Sequence, residues 1–407
     1  MDKRTYGIIS IPVIIGALGY FVDIYDLLLF GIIRKTSLRS LGLSEEMVLT
    51  SGEFIISIQM VGLLLGGILW GVMGDKKGRL SVLFGSILLY SLANIANGMV
   101  ESVNQYALLR FIAGVGLAGE LGAGITLVSE LLSKEKRGLG TSMVAGFGLT
   151  GAVVAYFISK EFDWRVCYYI GGAMGLLLLV LRISVFESGM FKQVKEMNVS
   201  RGNFFAFFTN RERFFKYSKS ILIGLPTWFV IGVLVTFSDQ FGTRMGIPEA
   251  IDPGKAIMFA YIGISLGDIA IGFVSQALKS RKKALFIFYI LTMIFMVLFF
   301  MQNGGTAITM YLLCCGLGFS TGFWAIFVTM AAEQFGTNLR ATAATTVPNM
   351  VRGSLPLIIL LFKWLRETTG FITGGIITAI IIMVISWIAA YFTKETFHKD
   401  LMYVEVS

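Results

Sequence analysis

Apolar runs long enough to cross a bilayer follow one another along the whole chain, at about 8–33, 49–73, 80–100, 104–132, 138–159, 164–185, 217–238, 255–278, 284–302, 306–332, 341–362 and 370–392. A helix needs ~20 such residues to span the hydrocarbon core, and a soluble fold has no use for twelve of them. Only 14% of the residues are charged and 56% are hydrophobic, whereas a soluble domain is about a quarter charged. The 47 glycines suit close packing of helices. Cys167, Cys314 and Cys315 sit inside apolar runs, which leaves neither a disulfide framework nor a zinc site. Soluble enzyme, secreted scaffold and nucleic-acid binder are thereby excluded. The expected fold is an all-α polytopic membrane protein with twelve transmembrane helices.

Twelve spans place both termini on one face. On one assignment that face carries 22 of the 34 basic residues and the other carries nine, with Arg110, Arg182 and Arg352 inside spans. The excess of Lys and Arg orients both ends toward the cytoplasm. It also accounts for most of the net charge of +9, which needs no nucleic-acid partner. The first run is long, is followed at once by further spans and lacks a small-residue cleavage site, so no signal peptide is expected. Short external loops fit a multi-pass protein of a bacterial inner membrane.

The longest loop, 186–216, separates two six-helix halves, 1–185 and 217–407. Span 4 reads Ala113-Gly114-Val115-Gly116-Leu117 and ends on Glu130 followed by Arg137; span 10 reads Cys315-Gly316-Leu317-Gly318-Phe319 and ends on Glu333 followed by Arg340. These echoes lie 202 and 203 residues apart. A weaker echo sets Gly71, Asp75, Gly78 and Arg79 after span 2 against Gly272, Gln276 and Arg281 after span 8. Parallel repeats of half a chain are a habit of secondary transporters, with the substrate site between the halves near mid-membrane.

These residues resemble the major facilitator superfamily. Its cytoplasmic loop motif is matched by Gly71, Asp75, Gly78 and Arg79, with Leu80 departing at the last, basic position. The span-4 motif of its sugar and metabolite branch is similar to Ile112, Gly114, Val115, Leu127, Glu130 and Arg137, with Ala118 in place of glycine. Glu187-Ser188 resembles the Pro-Glu-Ser of that branch, Phe186 replacing proline. Asp23-Ile24-Tyr25-Asp26 resembles the acidic opening of aromatic-acid:proton and metabolite:proton symporters. The resemblance covers essentially the whole chain and implies that spans 1, 4, 7 and 10 line a cavity, that spans 2, 5, 8 and 11 flank it, and that the others face lipid. Gly71, Asp75, Gly78, Arg79, Glu130, Arg137, Glu333 and Arg340 would then form the cytoplasmic gate. Independently of family, an Asp75–Arg79 ion pair at a helix end can latch a neighbouring helix.

Charges at membrane depth carry the functional signal. Asp23, Asp26, Arg110, Glu120, Asp268 and Arg352 lie inside lining or flanking spans. Each costs about 3 kcal/mol on insertion scales unless paired or hydrated. Arg182, on an outer span, lies near enough to the cytoplasm to snorkel. Asp23 and Asp26 share a helix face, and two carboxylates in one apolar cavity do not both ionise easily, so one is expected to hold a proton near neutrality. The sole histidine, His398, is in the tail, so a proton relay falls to Asp23, Asp26 or Glu120, with Arg110 as the family's span-4 arginine. Pairing of one aspartate with Arg110 or Arg352 is the structural alternative. Arg352 stands between Pro348 and Gly353-Ser354-Leu355-Pro356, where the helix is expected to break or kink. A fixed cation beside unwound backbone suits a substrate carboxylate or phosphate, and a bridge to Asp268 is the alternative. Tyr25, Trp228, Phe323 and Trp324, with the neutral hydrogen-bonders Gln59 and Asn349, complete the substrate-site candidates. Glu53 and Gln240 lie near the outer face, where an external gate would sit.

The expected function is proton-coupled symport of a small organic anion by a monomer, driven by the proton gradient with no cofactor or metal. A neutral metabolite such as a sugar or nucleoside is the alternative substrate, and drug efflux ranks third. A membrane sensor is disfavoured by a loop too short for a signalling domain. No Gly-x4-Gly-Lys-Ser/Thr loop for ATP and no catalytic constellation is evident.

Overall fold

The computed structural model describes residues 10–77, 79–120, 134–185 and 204–397, and every regular element among them is helical. Among the described residues, six helices precede the central connection: α1 (Ile11–Ser40), α2 (Glu45–Lys77), α3 (Arg79–Asn97), α4 (Val103–Leu117), α5 (Lys134–Glu161) and α6 (Trp164–Val185). After it, α7 (Arg211–Phe229) runs through a π-helical stretch, Val230–Val235, toward α8 (Ser238–Arg244). Then come α9 (Pro253–Leu278), α10 (Arg281–Phe300), α11 (Ala307–Thr321), α12 (Trp324–Glu333), α13 (Thr337–Gly353), α14 (Leu355–Thr369) and α15 (Phe371–Tyr391).

Among the described residues, nine helical stretches are long and apolar enough to cross a membrane. They correspond to the expected spans 1, 2 and 6 through 12. Spans 3, 4 and 5 answer to α3, α4 and α5, and the second part of the run 104–132 lies outside the described residues. Outward-facing side chains bear out a lipid environment. Phe273 is 74% exposed, Leu357 69% and Trp364 63%, a belt of large apolar groups that water would not tolerate.

Three stretches differ from what hydropathy suggests. The connection 186–216 is shorter than expected, because a 3-10 turn occupies Phe204–Phe207 and α7 begins at Arg211, where the Asn210 side chain accepts from the Glu212 amide at 2.8 Å. Span 10 is broken between α11 and α12, where a Cβ on Gly322 would fall 2.7 Å from Gly267 Cα. Span 11 is broken at Ser354, with Pro356 in the first turn of α14, where its missing N–H is harmless.

Within each half an equivalent helix pair is held backbone against backbone. A Cβ on Gly62, Gly66 or Gly114 would strike the carbonyl oxygen of Phe111, Val115 or Gln59, locking α2 to α4. A Cβ on Gly263, Gly267 or Gly318 would strike that of Cys315, Phe319 or Ala260, locking α9 to α11. The six contacts superimpose with one offset of 201 residues for α2 on α9 and another of 204 for α4 on α11. The weak echo after span 2 therefore has the contact register, whereas the stronger one in span 4 is two residues out: Gly114, not Gly116, is the counterpart of Gly318. Between the two groups, α1 and α5 pack on α9, and α2 packs on α13 and α14.

Candidate functional site

Four arginines, Arg34, Arg110, Arg182 and Arg352, are among the largest fully buried side chains. Charge buried to that degree must be paired or be waiting for a partner, and three of the four are paired.

Arg110 on α4 donates from Nη1 to Asp26 Oδ1 on α1 at 3.0 Å, and from Nη2 to the Asn94 side-chain oxygen on α3. Its guanidinium also lies 4.8 Å from the centre of the Tyr168 ring. Asp26 Oδ2 has no hydrogen-bond partner. Glu120, just past α4, holds Arg182 on α6 through two hydrogen bonds, one of them 3.0 Å from Nη1 to Oε2. Gly19 on α1 makes room for that pair, since a Cβ there would collide with both side chains. Arg182 is therefore not snorkelling: at 2% exposure it points inward to neutralise a carboxylate. Arg110 and Glu120, close in sequence, each turn to a different helix.

Asp23 and Arg352 are the exceptions. Both are buried, at 0% and 2% exposure. Neither Asp23 oxygen has a hydrogen-bond partner, nor do Arg352 Nε and Nη1. No ion pair is formed at Arg352, with Asp268 or with any other described carboxylate. Asp23 lies within electrostatic range of Arg352, Glu120 and Asp26. Tyr20 on α1 and Tyr261 on α9 lie within range of both Asp23 and Arg352, and Asp268 is within range of Tyr20. Trp228 on α7 and Trp324 on α12 flank Arg352, with ring centres 5.9 and 6.0 Å from its guanidinium carbon. The buried Trp228 indole N–H has no acceptor. The cluster thus draws on α1 and α7, α9, α12 and α13.

The other polar candidates have partners in the protein. Tyr25 donates to the Cys167 carbonyl at 2.9 Å, and Gln59 to the Leu27 carbonyl at 3.2 Å. Asn349 crosses between the helix groups to donate to the Ala118 carbonyl at 3.0 Å. Of the cytoplasmic motif, Gly78 and Glu130 lie outside the described residues, as do the side chains of Asp75, Arg79, Arg137 and Arg340. Gly71 faces Thr346 at ordinary contact distance, 3.8 Å for an added Cβ. Glu333 forms an ion pair with Arg281 at 2.7 Å, joining α12 to α10.

At the opposite ends of the helices, ion pairs join the two groups. Arg34 meets Asp239 at 2.7 Å, and Lys35 meets the same carboxylate at 3.3 Å. Glu53 on α2 accepts two hydrogen bonds from Arg366 on α14, one of them 2.9 Å. Lys160 and Asp252 meet at 2.5 Å. Gln240 supports Asp239 through a 3.2 Å hydrogen bond. The sequence reading placed Glu53 and Gln240 here but missed Arg34, Asp239 and Arg366. Their only sequence signal is a charge at the end of an otherwise apolar span.

A lipid-belted helical protein with buried charge gathered between two helix groups, and ion pairs tying those groups at one end, has the build of a secondary membrane transporter. The family model for the Major Facilitator Superfamily matches residues 16–359, and the chain belongs to that superfamily. The chain is 24% identical to the niacin transporter NiaP of Acinetobacter baylyi, over 94% of its own length and 93% of the relative's. It is 30% identical to the benzoate transport protein of the same organism, over 42% and 37% of the two lengths. The crystal structure of a D-xylose-proton symporter superimposes with a TM-score of 0.66 at 15% identity, covering 94% of this chain and 96% of that one, which shows the shared fold. The protein is accordingly a multi-pass inner-membrane transporter, not an enzyme, and its family works without a cofactor.

Proposed function

We propose that the protein is a proton-coupled symporter of a small organic anion, a carboxylate carried on a flat ring, which it moves by alternating access between the halves 1–185 and 217–407, with twelve spans and both termini in the cytoplasm. The observation that carries this reading is the buried guanidinium of Arg352, which forms no ion pair among the described residues. Leaving one member of a buried ion pair alone costs several kcal/mol, about 3–5 where it has been measured, so the site calls for an anion that arrives from outside the protein. A carboxylate fits the guanidinium fork in bidentate fashion. Trp228 and Trp324 offer ring faces beside that fork, and the Trp228 N–H offers a further donor. Relatives that are named for niacin and benzoate transport agree in substrate chemistry.

Charge balance supplies the coupling. Empty, the site is neutral when ionised Asp23 faces Arg352. Loaded, it is neutral only when Arg352 holds the substrate carboxylate and Asp23 holds a proton. Anion without proton leaves a net negative charge in a low-dielectric cavity, which burial penalises. Proton and anion therefore travel together. Asp26 and Arg110 with Asn94 form the neighbouring element that senses the charge on Asp23, and Glu120 is held by Arg182.

The test is radiolabel uptake into proteoliposomes from a panel of aromatic carboxylates and neutral solutes, with and without an inward proton gradient. Asp23→Asn should abolish gradient-driven accumulation while preserving exchange of substrate across the membrane, and Arg352→Ala should lose both. Uphill uptake by Asp23→Asn removes Asp23 from coupling. Uptake of a neutral solute that survives Arg352→Ala sinks the anion reading.

A further inference from the structure

A cavity of about 290 Å3 opens far from the transport cluster, lined by Glu212, Lys216 and Lys219 of α7, Gln334 just past α12, and Thr393 and Lys394 just past α15. Lys216, Lys394 and Lys282 all lie within electrostatic range of Lys219. The acid in the lining, Glu212, is taken by Lys216 at 3.1 Å. Glu395, the next acid along, is turned away: its carboxylate accepts from the Ser280 hydroxyl and from the amides of Arg281 and Lys282. Among the described residues the lining thus holds three lysines and one carboxylate, with Lys282 within electrostatic range of Lys219.

Capping explains part of this. Lys219 Nζ donates to the Phe392 carbonyl at 2.9 Å and Lys282 Nζ to the Tyr391 carbonyl at 2.8 Å, which satisfies the end of α15. It does not explain Lys394, whose side chain forms no ion pair among the described residues and whose backbone carbonyl is engaged by Gln334. Nor does it explain why the rim is apolar. Phe215 lines the cavity, and Phe214, Tyr391 and Phe392 lie beside lining residues in the chain; the four are 49%, 42%, 66% and 64% exposed. Aromatic groups beside a basic cluster at the ends of membrane helices mark the headgroup level of a bilayer.

We infer that this cavity binds the phosphate of an anionic phospholipid from the adjoining leaflet, with the lysines on the phosphate oxygens and the acyl chains along the aromatic rim. A soluble phosphate would use the same lysines and have no need of the rim. The inference stands apart from the substrate and coupling scheme.

The experiment is native mass spectrometry of the full chain titrated with phosphatidylglycerol, phosphatidylcholine or inorganic phosphate. Phosphatidylglycerol should be retained in preference to phosphatidylcholine. Each lysine removed should weaken it about fivefold, since a basic residue at an anionic membrane surface contributes ~1 kcal/mol. Lys394→Gln, which breaks no side-chain hydrogen bond among the described residues, should show that single step. The triple variant Lys216→Gln/Lys219→Gln/Lys394→Gln should show about a hundredfold loss. Unchanged retention by Lys394→Gln, or equal retention of the two lipids, overturns the site. Displacement of phosphatidylglycerol by millimolar inorganic phosphate overturns the lipid assignment in favour of a soluble anion.

Discussion

With the termini in the cytoplasm, as proposed, replacing Glu53 with glutamine should tip the transporter toward an outward-open form. The Glu53 and Arg366 side chains are only 5% and 10% exposed, and they bridge α2 to α14 through two hydrogen bonds. With glutamine at 53 the Arg366 guanidinium stays buried in the closed form without its counter-ion, at a cost of about 3–5 kcal/mol. Opening the outer side admits water to Arg366, so the cost falls on the closed form alone. At ~1.4 kcal/mol per factor of ten, even the lower figure moves the closed-to-open ratio by about a hundredfold. Lys160–Asp252 is the control. Its side chains are 49% and 29% exposed, and an exposed pair contributes no more than about 1 kcal/mol. Asp252→Asn should therefore shift the ratio about fivefold at most. The assay is a pulsed electron-spin distance measurement between labels on exposed Ser44 and Ala250, one on each half, in a background free of native cysteines. Glu53→Gln should populate a longer distance that Glu53→Gln/Arg366→Gln largely reverses, because the double variant leaves no orphan charge. Unaltered distances in Glu53→Gln, and again in Glu53→Gln/Asp239→Asn, would falsify the view that these pairs hold the outer side shut.

Glu120→Gln strands Arg182 in a buried position and should lower stability by about 3–5 kcal/mol, read as a drop in the thermal midpoint. A well-folded Glu120→Gln that has lost only gradient-driven uptake would make Glu120 a proton carrier instead. Gly267→Ala pushes a methyl into the Phe319 carbonyl and should cost about 1–3 kcal/mol by overpacking. Gly272→Ala meets nothing within 4 Å and should be neutral or stabilising by up to ~1 kcal/mol; equal midpoints for the two would contradict the locked α9–α11 contact. At Glu395, burial alone would raise the carboxyl, but hydrogen bonds from Ser280 and from the Phe397, Lys282 and Thr396 amides outweigh it and hold it below the usual range. A carboxyl depressed on folding stabilises above its unfolded value and loses that contribution as pH falls through its folded one. Thermal stability should therefore fall on acidification below the ordinary carboxylate range, and Glu395→Gln should flatten that limb of the profile.

The presence of buried charge was legible, because a charged residue in a twenty-residue apolar run has nowhere to go but inward. Asp23, Asp26, Arg110, Glu120 and Arg352 could all be picked out on that ground. Their partners could not, since hydropathy does not encode how helices are rotated about their axes. Arg110 reaches Asp26 on α1, while Glu120 reaches Arg182 on a helix that resemblance alone turns toward lipid. Arg34 and Lys160 belong to the basic residues counted for topology, yet each also closes an ion pair with an aspartate at the start of another helix. The helix break at Ser354 was written in Pro348, Gly353 and Pro356. The break at Gly322 was not, because its cause is the approach of α9 rather than a local preference. Glycine spacing also misled: alternating glycines at 114 and 116 align equally well with those at 316 and 318 until the opposing carbonyls decide.

The two offsets of the glycine contacts bear on descent. The offset of 201 still holds at the ends of α2 and α9, Lys77 and Leu278. That of 204 holds at the starts of α4 and α11, Val103 and Ala307, and at their capping residues Ser102 and Thr306. A tandem gene duplication followed by a net gain of three codons in the later copy, or the same loss in the earlier one, accounts for both. That change is confined to the interval containing α3 or α10, the outer helices of each half, whose lipid-facing sides tolerate slippage that backbone-to-backbone contact forbids. The helix pairs locked by glycine kept one register each, and the three-residue difference between the halves falls where the membrane, a fluid neighbour, can absorb it.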